Sequence, residues 1–166
     1  LFPHGFKLRT KWESAVGKHS VLERVDPRDG LEVLRLIALR QTLDAPARAA
    51  GTPRVTGIRQ ADVLNVDAGV ITRQWDWAVT SYARAAELLT IKCGVKDRAF
   101  VPSETMLLPM ALALGEDKRR RPDFEADVVR WFWASAMRQT YAQGANTLAV
   151  ADARALRAWR ADPAAI

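Results

Sequence analysis

The chain predicts an all-α protein, an irregular helical bundle of five to seven helices, and three observations predict it. Alanine, leucine, arginine and glutamate, all good helix formers, dominate the long segments. No run alternates β-branched and polar residues for long enough to make a half-buried strand. Apolar residues fill 49% of the 166 positions, enough for several packed helices to share one core. A single domain over 1–166 is the expectation.

Residues 7–25 read as helix in one or two pieces, with Leu8, Trp12 and Val16 four apart on one face and Gly17 interrupting. Asp26-Pro27-Arg28-Asp29 reads as a helix start, since aspartate caps free N–H donors and proline suits the first turn; this helix should run to about Leu43. On it Arg28, Glu32, Arg35 and Thr42 make a narrow polar stripe in an otherwise apolar surface, which predicts a central position. Pro46, Gly51, Pro53 and Gly57 mark 44–58 as an exposed loop.

From Asp67 to Cys93, Ile71, Trp75, Ala78, Tyr82, Ala85 and Leu89 step by four and three, keeping one apolar seam on a long helix that Gly94 ends. Such a seam suits either a dimer or the chain's own helices. Ser103 is placed to cap the next helix, and Met106–Leu114 carries no charge, so that helix is buried. Pro109 within it implies either a kink or a later start. After a charged connector over 115–122, Asp123 is placed to cap a helix reaching about Tyr141, and a last helix over about 149–160 turns Ala153, Leu156 and Trp159 inward before Pro163.

Cys93 is the single cysteine, which excludes an intrachain disulfide and fits a reducing, cytoplasmic setting. No apolar run approaches the roughly 20 residues that cross a bilayer, so a membrane is not an expected partner. The net charge of +6 is mostly arginine. It is read either as an affinity for phosphate, hence DNA, or as solvated helix faces.

The chemistry-bearing motifs are sparse. There is no phosphate-cradling glycine loop and no nucleophile elbow, and His4 and His19 are too few for a histidine-rich metal site. Asp123, Glu125 and Asp127 are close in sequence, but a helix start favours acids for its own dipole. No catalytic, metal or cofactor residue is assigned, and no cofactor is expected. The candidate nucleic-acid contacts are Lys118, Arg119, Arg120 and Arg121 ahead of a helix, and Arg154, Arg157 and Arg160 on the last helix. Trp75-x-Trp77 and Trp131-x-Trp133 either stack on bases or pack in the core, and burial favours the core by a few kcal/mol, on the order of one large side chain.

Pro102-Ser103, the apolar helix through Pro109, Trp131-Phe132-Trp133 and the Tyr141–Gly144 turn together resemble the helical region of the GmrSD-like restriction nucleases. The likeness covers about residues 60–160, with 6–40 matching more loosely. It implies a helical module beside an N-terminal ParB-like domain whose Asp-Gly-Gln-Gln-Arg motif serves nucleotide hydrolysis, often with an HNH-type nuclease domain, in defence against modified phage DNA. Neither that motif nor a His-Asn-His pattern occurs here, so none of the family's catalytic residues maps onto this sequence. The first residues, without an initiator methionine, read like the interior of a protein, and upstream sequence holding that N-terminal domain is expected as the partner. A stand-alone nucleic-acid-binding module and a protein-interaction or dimerisation domain are the other readings.

Overall fold

The computed structural model describes residues 6–25, 30–44, 55–118 and 121–162. These form eight α-helices and three short 3-10 turns, with no strand among the described residues. The helices are α1 (Leu8–Lys18), α2 (Val21–Val25), α3 (Leu31–Asp44), α4 (Gln60–Leu64), α5 (Ala68–Lys92), α6 (Leu107–Glu116), α7 (Pro122–Met137) and α8 (Ala145–Ala161). The all-α class holds, and the count exceeds five to seven because α2 and α4, five residues each, are too short to leave a periodic signal. The Asp26-Pro27 start, residues 45–54 of the expected loop, Pro163, His4, Arg119 and Arg120 lie outside the described residues.

The core is built on α6. Every residue from Leu107 to Leu114 is buried, and α3, α5 and α8 pack around it. Pro109 falls in its first turn, where backbone N–H groups have no partner within the helix. The 3-10 turn Glu104–Met106 supplies the entry, so the regular helix starts later, at Leu107. Ser103 stands at the N-terminal boundary of that turn without a side-chain cap bond.

On α3, residues 32–39 are all buried, including the charged Glu32 and Arg35. The seam of α5 is buried against the chain's own helices, chiefly α6 and α3, and Asp67 accepts the Val70 N–H at 3.1 Å to cap it. Gly115 lets α6 approach α5: a Cβ there would lie 2.0 Å from the Ser81 Oγ and 2.6 Å from its Cβ. Gly30, at φ +90°, sits where a Cβ would come within 3.3 Å of both Trp12 and Trp75. A left-handed backbone and two indoles together demand glycine.

Several boundaries differ from the expectation, among them that of α8, which starts at Ala145 and not about 149. Gly17 does not break α1, which runs through it to Lys18. α7 begins at Pro122 in the first helical position, with Asp123 after it and Arg121 as the boundary residue, so Asp123 does not cap. It ends at Met137, four residues short of Tyr141, because Gln139 turns left-handed (φ 52°) and opens a 3-10 turn over Thr140–Ala142. At the described end of the 44–58 segment, Val55 and Ile58 are buried. Ile58 gives its carbonyl to Arg35.

Candidate functional site

The C-terminal ends of three helices meet at one cavity of about 950 Å³, whose lining includes Asp44 of α3, Glu116 of α6 and Ala161 of α8. A helix end carries carbonyls without intrahelical partners and a partial negative charge, so three of them together call for cations. Arginines supply these. Arg160 donates to the Glu116 carbonyl at 2.8 Å, and Arg121 donates through Nη2 to the Arg160 carbonyl at 2.8 Å. Arg84 reaches the Leu114 and Asp117 carbonyls from behind, and Trp77 Nε1 donates to Gly115 at 3.3 Å.

Carboxylates then link the arginines. Glu116 takes Arg157 on both oxygens and lies 3.4 Å from Arg160, and the same Arg157 bridges to Asp44 of α3 at 2.8 Å. Desolvation pulls the Arg157 pKa down, but Glu116 and Asp44 outweigh it and hold the guanidinium above its ordinary value. Asp117, only 4% exposed, accepts the Arg121 backbone N–H at 2.9 Å and lies 3.4 Å from its Nε. Of the described residues lining the cavity, Arg40, Lys118, Arg121, Arg157 and Arg160 are cations and three are carboxylates, an excess of two positive charges.

The structure thus brings together Lys118, Arg121, Arg157 and Arg160, which the sequence separates into two clusters. Arg154 stands apart, exposed on α8 beside a different cavity of about 480 Å³ lined by Gly57, Asp62 and Thr147. A spacing of three turns each arginine about 60° further round the helix, so Arg154 and Arg160 diverge by about 120°. Sequence reasoning missed Arg40, Asp44 and Glu116, and weighed Trp77 only as a base-stacking or core residue. Two signals were there: Arg40 and Asp44 stand four apart at a helix end, and Glu116 is an acid at the wrong pole of an apolar helix, which needs a cation beside it.

A second charged cluster is mostly buried. Arg35 donates through Nη1 to both Glu32 oxygens at 2.8 and 2.9 Å, through Nε to the Ile58 carbonyl at 2.9 Å, and through Nη2 to Asn146 Oδ1 at 2.6 Å. It fastens α3, the segment before α4 and the start of α8.

The three acids of α7 do not converge. Asp123 is exposed, Glu125 pairs with Arg84 at 2.6 Å, and Asp127 pairs with Arg130 at 2.7 Å. Among the described residues no group of three or more His, Cys, Asp or Glu is placed to hold a metal ion. His19 is half-buried at the end of α1.

The aromatic pairs divide. Trp75 is buried and Trp77 forms a wall of the cavity. Trp131 meets Tyr141 edge-on at 6.3 Å, while Trp133 is 40% exposed because it leaves α7 roughly 200° away from Trp131. Core packing therefore fails for Trp133. No family model, curated protein or solved structure matches this chain.

Proposed function

We propose that the chain is the non-catalytic helical module of a GmrSD-like restriction and phage-defence protein, which supports an N-terminal nucleotide-dependent ParB-like domain and holds DNA beside it. Support for the module comes from how the residues of the resemblance sit together. Tyr141, in the turn of the resemblance that follows α7, packs on Trp131 of α7 and donates to Asp152 of α8 at 2.7 Å, so the turn ties the Trp131-Phe132-Trp133 helix to α8. Burial and the Asp152 carboxylate both push the Tyr141 pKa up, keeping the phenol protonated as that donor.

The observation that carries the DNA contact is that Lys118 and Arg121 share one cavity with Arg157 and Arg160, whose pairing with Glu116 and Asp44 still leaves its lining two positive charges in excess. Cations gathered at one place neutralise neighbouring phosphates, whereas scattered ones do not. Changing Arg119, Arg120 and Arg121 together to glutamate should abolish retention on immobilised DNA at low salt. Unchanged retention would remove DNA from the reading. Among the described residues no helix is long and apolar enough to cross a membrane.

A further inference from the structure

Arg40 differs from the other arginines of the cavity. Arg157 and Arg160 are committed to Glu116, Asp44 and a helix-end carbonyl. The Arg40 guanidinium carbon lies over the Trp77 ring, 4.1 Å from its centroid, and its nearest carboxylate, Asp44, stands 3.4 Å from Nε without forming a hydrogen bond. Its two Nη groups have no hydrogen-bond partner among the described residues. Across the cavity, Arg121 has Nη1 free of any partner among the described residues, and Lys118 is exposed with no ion pair there.

An arginine stacked on an aromatic face is already ordered, so its planar fork binds an oxyanion with little further loss of freedom. The excess of cations over carboxylates favours an anion. The helix ends, which would repel one, have the carbonyls of Leu114, Gly115, Glu116 and Arg160 already taken by donors. A volume of about 950 Å³ exceeds what one oxyanion fills and suits a ligand with linked phosphates.

We propose that this cavity is a binding site for a linked phosphate oxyanion, with the Arg40 fork, held on Trp77, as its receptor and Lys118 and Arg121 closing on it from the rim. The site deepens the DNA reading, on which its nucleic-acid source rests, by assigning the same cavity a receptor on α3, Arg40, that the DNA contact does not include. Its phosphates come either from a nucleic-acid backbone or from a small free ligand.

Isothermal titration of the full chain with inorganic pyrophosphate tests it. Saturable binding is expected, weakened at least tenfold by Arg40→Gln and several-fold by Lys118→Glu, and unchanged by Arg154→Gln, which lies beside the other cavity. Lys118 is exposed, so its variant folds even where loss of Arg40 loosens the hub. No saturable heat, or equal affinity in both variants and the parent, overturns the proposal. Competition with a single-stranded oligonucleotide separates the sources: displacement of pyrophosphate assigns the site to a nucleic-acid backbone, and its persistence assigns it to a free ligand. Loss of pyrophosphate binding with DNA retention intact removes the cavity site alone, and the reverse removes only the DNA contact.

Discussion

Every nitrogen of the Arg35 guanidinium has an acceptor, and its partner Glu32 is wholly buried. A buried pair adds little over an apolar pair of similar shape, but removing Arg35 takes two hydrogen bonds from the buried Glu32 and leaves the Ile58 carbonyl without its donor. Arg35→Ala should therefore cost about 3–5 kcal/mol in urea unfolding; a loss under 1 kcal/mol would show that water reaches Glu32. Cys93 gives a second test. Burial raises its pKa from 9.0 to about 11. Above pH 9 the unfolded thiol ionises while the folded one keeps its proton, so this contribution to stability is whole below pH 9 and is lost as pH rises toward 11. The urea midpoint should fall over that range, and Cys93→Ala should flatten the fall. An identical slope in the variant would place the alkaline loss elsewhere.

At the scale of elements, periodicity made the long helices legible. The step of four and three along α5 found its buried seam, and the charge-free stretch before Gly115 found the central helix. Helix ends were less legible, because proline at N1 of α7 and the left-handed Gln139 are local geometries that competing caps can mask. The tightest approach at any described glycine is at Gly115, whose absent side chain lets Ser81 of α5 sit against α6. Gly115→Ala must part the two helices or turn Ser81 away from its bond to the Trp77 carbonyl. A loss of about 1–3 kcal/mol in thermal or urea unfolding is expected. The higher helix propensity of alanine, worth roughly 1 kcal/mol, does not offset a 2.0 Å clash.

At the scale of the whole molecule, the arginine hub joins three helices that are distant in sequence, and Glu116 is its centre. Glu116→Gln keeps the shape but leaves Arg157 and Arg160 facing three helix ends with one carboxylate fewer. It should cost about 1–3 kcal/mol, since both partners are mostly shielded from solvent. The same change in an Arg157→Ala background should cost much less, as a double-mutant cycle would measure. Equal costs would mean that the pair is not coupled. By itself the sequence determined the helical class, the seam of α5, the buried α6 and the arginine surplus, because these follow from residue type and spacing along one chain. Only the tertiary structure decided that Lys118 and Arg121 share a cavity with Arg157 and Arg160, that Arg154 does not, and that Arg40 keeps its fork free above Trp77. The reason is physical: a cation's role depends on which carboxylates and helix ends come within a few ångströms, and packing alone sets those distances.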